Sequence, residues 1–218
     1  MRVFHFVDRD YGLDDLRRKR LKIATLDELN DPFELFGINL SDAGLRHAFR
    51  RMKEQMAVNR GLLCFSRNWR NPVQWSHYAG KHTGLCLGFE IPDVHLGAVN
   101  YSARRLVVEA NRFLNPREID EATVTKYPFT KFSHWRYENE VRSFATLEDR
   151  DFSTGLYFAE FSDQLKLVQV IVGAMSTLTR GELQDALGNL GPAVDAFKAR
   201  LAFGSFAVVR QRKGSLWP

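Results

Sequence analysis

Three apolar runs, GLLCFS at 61–66, TGLCLGFEI at 83–91 and LVQVIVGA at 167–174, constrain the fold more than anything else in the chain. Each has the length of a strand and is flanked by turns. The last is rich in β-branched side chains, which suit a pleated sheet better than a helix. RVFHFV at 2–7 and LKIAT at 21–25 read as two further strands on either side of a helix over GLDDLRRKR. GAVNYS and RRLVVEA, within 97–110, read as another pair. Helices follow at about 179–201 from the capping box Thr179-x-x-Glu182, and AFGSFAVVRQRK closes as a last strand. Strands and helices interleave without alternating regularly. That predicts an α+β domain with a largely antiparallel sheet and flanking helices rather than a doubly wound parallel one. The 218 residues fit one domain, 1–218, which a strand–helix–helix–strand unit at 165–212 completes.

One helix-opening pattern occurs three times: NDPFE at 30–34, NPVQ at 71–74 and NPRE at 115–118. A short polar side chain caps, proline takes the first helical position, and Glu34 reads as the reciprocal capping carboxylate of Asp31. Lys and Arg number 31 against 26 Asp and Glu, and the positive charges cluster only at 16–22 and 210–213. This allows a phosphate-bearing ligand or a polyanion, although a solvated helix face explains the first cluster equally well. No apolar run approaches the roughly 18 residues of a membrane span, and the N-terminus lacks the pattern of a secretory signal, so a cytoplasmic protein without a membrane partner is expected. Cys64 and Cys86 lie inside apolar runs and read as free buried thiols. The histidines show no metal-ligand spacing, so no metal is expected. Gly-rich nucleotide loops and the Gly-x-Ser-x-Gly elbow are missing as well.

WRYENEVRSF at 135–144 places two carboxylates, Glu138 and Glu140, one residue apart. In a helix, Glu138 and Arg142 would form a surface pair worth about 0.2–0.5 kcal/mol. In a strand, Glu138, Glu140 and Arg142 would share one face, with Tyr137, Asn139 and Val141 on the other. His5 interrupts the first strand as FHF and taken alone reads as a satisfied strand histidine. Trp75, His77 and Tyr78 fall on one predicted helical turn, where core packing is the stronger reading for Trp75 and the weaker for His77. Trp135 and Tyr137 beside the paired acids are what a flat cationic ligand would want.

FHF at 4–6, LNDPFEL at 29–35, LLCFSRNWRNPVQWSHYA at 62–79, HTGLCLGFEI at 82–91, VNYS at 99–102 and W-x-YENEVR at 135–142 occur in this order. Over residues 3–145 the chain thereby resembles a bacterial domain-of-unknown-function family, number twenty-nine seventy-one. It also resembles, more weakly, the ADP-ribosyltransferase-like fold, whose split antiparallel sheet grips NAD. That resemblance implies His5 as the early-strand residue, Ser66 or Tyr78 as the middle one, and Glu140 as the catalytic acid with Glu138 two before it. The chain departs from the pattern in lacking a Thr or Ser after the His and a Ser-Thr-Ser triplet. The implied reaction cleaves NAD, here a substrate, and moves ADP-ribose to a macromolecular acceptor, as a toxin or phage-defence effector would. Glu140 would stabilise the oxocarbenium-like centre, and Glu138 would prepare the nucleophile. His5 would hold ribose hydroxyls, Tyr78 or Trp75 would stack on a ring, His77 and Tyr137 would complete the binding surface, and Arg142 or Arg67 would meet the pyrophosphate. The alternatives are an NAD glycohydrolase of the same fold and a non-catalytic nucleic-acid-binding module.

Overall fold

The computed structural model describes residues 1–31, 33–34, 37–107 and 127–218. The NPRE opening at 115–118 and the end of the RRLVVEA run lie outside them. The chain begins with β1 (Arg2–Val7), α1 (Arg9–Arg18) and β2 (Arg20–Thr25). It continues through α2 (Ala43–Asn59), β3 (Arg60–Ser66), α3 (Pro72–Tyr78) and β4 (Leu85–Glu90). Short strands β5 (Gly97–Ala98), β6 (Asn100–Ser102) and β7 (Thr130–Phe132) precede β8 (Glu140–Thr146) and β9 (Tyr157–Glu160). The C-terminal part is β10 (Lys166–Val172), α4 (Arg180–Leu187), β11 (Asp195–Leu201) and β12 (Val208–Arg210).

Ten strands form one sheet whose main path runs β12-β11-β10-β4-β1-β3-β2-β9, with β8 paired to β3 and β5 to β8. All pairs in it are antiparallel except β10 with β11, and β6 and β7 form a separate parallel pair. The architecture is α+β and mainly antiparallel. Side-chain alternation gives each strand two buried faces: Val3, Leu85, Leu87, Phe89, Val170 and Val172 pack with Leu13 and Leu16 of α1 and Leu183 of α4. Phe4, Phe6, Cys86 and Ile171 pack on the other face with Trp75 of α3. Both cysteines are free thiols. Among the described residues no helix is long and apolar enough to cross a membrane.

The feature that positions the site is a split. β1 is zipped to β4 along its whole length, from Arg2↔Glu90 to Val7↔Leu85, but touches β3 only at Phe4↔Ser66. β3 instead pairs along its whole length with β8, from Arg60↔Thr146 to Ser66↔Glu140. The gap left between β1 and β3 would strand backbone polar groups, and the His5 ring fills part of it, with Nδ1 donating to the Cys64 carbonyl at 3.0 Å.

Two expectations are corrected, and one helix had no expectation attached. The second C-terminal helix is a strand, β11: DAFKARL alternates buried and exposed positions, and Gly188 at φ +50 and Pro192 stop α4 before it. Because β10 and β11 are parallel, a single helix must cross between them. The longest helix among the described residues, α2, has no counterpart among the sequence signals, since it fully buries only Leu45 and Phe49 and carries many charged side chains; Asp42 caps it through the Leu45 N–H at 2.8 Å. Asp31 does accept from a backbone N–H, that of Phe33 at 2.9 Å, but in a turn, and Glu34 is not its capping partner.

Candidate active site

WRYENEVRSF is neither all helix nor all strand. Residues Ser133–Glu138 form a 3-10 turn, Asn139 adopts φ 45, and the strand begins at Glu140. The left-handed residue reverses the pleat, so both carboxylates turn to one side although only Glu140 and Arg142 belong to the strand. Asparagine tolerates that conformation better than most residues. The turn is pinned from β3 and α3. Ser66 Oγ and Gln74 Nε2 donate to the Glu138 carbonyl at 2.6 and 2.9 Å, and Asn71 Nδ2 donates to the Tyr137 carbonyl at 3.1 Å. The Arg67 backbone N–H reaches the Asn139 carbonyl at 3.0 Å. Asn71 also caps α3 through the Val73 N–H at 2.9 Å, so one residue starts the helix and fixes the acidic turn.

Behind the carboxylates lies a buried ionic cluster. Lys131 Nζ is 2.7 Å from Glu138 Oε2, 3.1 Å from Glu140 Oε2 and 3.3 Å from Glu34 Oε2. Arg142, 1% exposed, donates to Glu140 through Nε at 2.8 Å and Nη2 at 3.1 Å, to Glu34 at 2.5 Å and to the Pro128 carbonyl at 2.7 Å. With all five groups ionised the cluster carries one more negative charge than positive. Burial alone would raise the pKa of Glu140, but the Arg142 charge and hydrogen bonds, with Lys131, outweigh it and bring Glu140 to about 2. For Glu138 burial wins over Lys131 and Tyr78, and its pKa is raised. Burial opposes the charge on Lys131 too, yet Glu140, Glu34 and Glu138 hold it protonated. The two carboxylates are thus pushed apart, one fixed as an anion and one ready to take a proton, which is the usual division between electrostatic and acid–base roles.

The cluster forms the polar end of a cavity of about 120 Å³ in the split. Phe4, Phe6, Leu29 and Phe65 supply apolar wall, and His5, Asn30, Tyr78, Glu138 and Glu140 the polar groups. At about 30 Å³ per water that is room for roughly four waters, or one ring. Tyr78 donates its hydroxyl to Glu138 Oε1 and accepts from Asn30 Nδ2 at 2.7 Å; burial, then the Glu138 charge, keeps it protonated. Burial lowers the His5 pKa, only partly offset by its bond to the Cys64 carbonyl, so the ring is held neutral with Nδ1 protonated and Nε2 left as an acceptor.

His5, Ser66, Tyr78, Glu138 and Glu140 therefore meet at one cavity. The Ser66 hydroxyl is spent on the Glu138 carbonyl and neighbouring backbone. Two assignments are corrected. Trp75 is 0% exposed, packed edge-on against Phe6 with its indole N–H on the Trp69 carbonyl, so it is core and offers no ring face. Arg142 has its guanidinium engaged by carboxylates and backbone and is sealed from solvent, so it cannot meet a pyrophosphate. Arg67 is exposed, and His77 and Tyr137 bond to each other at 2.9 Å outside the cavity lining. Trp135 stands against the cluster with the Lys131 ammonium 5.1 Å from its ring centre. Glu34, Lys131, Asn30 and Gln74 complete the site but escaped the sequence reading. The NDPFE motif was a signal for Glu34, read there as a cap, whereas nothing local marks Lys131. No family model matches the chain, and neither a curated protein nor a solved structure does.

Proposed function

We propose that the chain is an ADP-ribosyltransferase-like enzyme that breaks the nicotinamide–ribose bond of NAD and transfers ADP-ribose to a macromolecular acceptor. The observation that carries this reading is the convergence of His5, Tyr78 and two carboxylates of opposite protonation tendency on a cleft where the sheet splits. Bond cleavage sends the electron pair out with neutral nicotinamide and leaves positive charge on the ribose. The excess negative charge of the cluster, with Glu140 fixed as an anion, faces that charge. The acceptor attacks the anomeric carbon and gives its proton to Glu138, whose raised pKa suits a base. His5 Nε2 accepts from a ribose hydroxyl. The cavity takes one ring or sugar, so the rest of the dinucleotide lies outside it, and Arg67, exposed and next in sequence to Ser66 of the lining, is assigned to its phosphates.

The test is to incubate the protein with NAD labelled in the ADP-ribose part, with and without cell extract as acceptor, and to follow free nicotinamide and label on macromolecules in parallel. Release with transfer supports the proposal. Release with label only in small molecules assigns the same site to hydrolysis, and no release under either condition overturns both.

A further inference from the structure

A second cavity lies away from the acidic cleft. It is a groove of about 650 Å³ between α4, the start of β11 and the segment after β12. β11 stands three strand spacings from β1, roughly 14 Å at the usual separation of neighbouring strands. Arg180, Lys198, Arg210, Arg212 and Lys213 line it, against Asp195 as the single carboxylate among the lining residues. Asp195 is used up by Arg210, which holds it through two bonds of 3.0 Å. Lys198 gives one N–H to the Ser176 carbonyl at 2.7 Å, and Arg180, Arg212 and Lys213 have no carboxylate partner among the described residues. Four positive charges thus line one concave surface with no carboxylate among the lining residues left to pair with them. Two guanidinium groups lie over rings that the fold buries, Arg180 4.9 Å from the Trp217 centroid and Arg210 4.3 Å from that of Phe197. Their outer faces are flat, cationic and supported from below.

We propose that this groove binds single-stranded nucleic acid. Its cations come from three segments of the chain, α4, β11 and the end of β12 with the stretch after it, and share a groove of about 650 Å³ that has room for more than one phosphate. A guanidinium backed by an aromatic ring is a platform on which a base stacks whatever its identity. Concavity favours a single strand, because a duplex is read by an element that projects into its own groove. The proposal stands apart from the NAD reading, and its test contains no NAD.

The experiment measures fluorescence anisotropy of short labelled deoxythymidine and uridine oligonucleotides, and of a duplex, across a salt series. Binding of the single strands should weaken with salt at a logarithmic slope of about 2–3, since each neutralised phosphate contributes about 0.7. Arg212→Gln with Lys213→Gln should lower that slope by about 1.4. Arg50→Gln with Arg51→Gln, exposed on α2, should leave it unchanged. Melting curves confirm that both variants are folded. Equal slopes for wild type and the groove variant, an equal fall in the α2 variant, tighter binding to duplex, or no binding at low salt would each overturn the assignment.

Discussion

Lys131 holds three carboxylates together, and its removal shows how the site balances charge. Lys131→Met leaves three buried carboxylates with Arg142 as the one cation among them and should cost about 3–5 kcal/mol at neutral pH. The sign with pH follows from Glu140. Its lowered pKa gives stability that is present above the ordinary value of 4.5 and lost as pH falls through about 2. Losing the lysine raises the folded-state pKa values of Glu140 and Glu138, so the penalty should shrink as pH falls toward the ordinary carboxylate range; urea titrations at two pH values measure it. Glu140→Gln keeps the shape but removes the fixed anion, and nicotinamide release should drop on the order of 100–1000 fold. Glu138→Gln should instead lower transfer much more than slow hydrolysis, and should flatten the rise of transfer with pH as the raised pKa of Glu138 is passed. Parallel assays on both variants, below their melting temperatures, decide it; equal loss of both activities in both variants would remove the division of roles.

At the scale of elements, the acidic turn depends on a conformation and a cap. Asn139 at φ 45 makes the reversal that brings Glu138 beside Glu140. Asn139→Ala should cost about 1–2 kcal/mol, and Asn139→Gly should not, because only a Cβ is penalised there. A urea midpoint unchanged by the alanine would show that the turn does not need the left-handed residue. Asn71→Ala removes the α3 cap, worth about 0.5–2 kcal/mol, and the bond to the Tyr137 carbonyl, so it should loosen the site as well as the helix. The Asn71 cap of α3 and the capping box of α4 were legible because a cap involves residues three apart or fewer. β11 was not legible as a strand: seven residues of mixed polarity after a good helix start suit either form, and only pairing with β10 and β12 selects the extended one.

For the whole molecule, the split between β1 and β3 is the part of the architecture that a ligand would feel. A ligand bound at 100 times its dissociation constant stabilises the fold by about 2.7 kcal/mol. In a chain of this length that is a melting shift of roughly 5–10 °C. NAD should produce such a shift in wild type and a smaller one in His5→Ala, which loses the ring spanning the split; equal shifts would place NAD elsewhere. The sequence by itself determined what depends on near neighbours: the apolar strand runs, the helix caps, the buried Cys86 thiol and the α+β class, because periodicity and capping act over a few residues. Only the tertiary structure decided which charges meet. Glu34 lies 108 positions from Arg142, and Lys131 reaches it, Glu138 and Glu140 together from a separate strand pair. It also buried Arg142 and Trp75, which the resemblance had offered to a ligand. A side chain's propensity is local, but its burial and its ion-pair partners are set by which strands the sheet leaves side by side and which it holds apart.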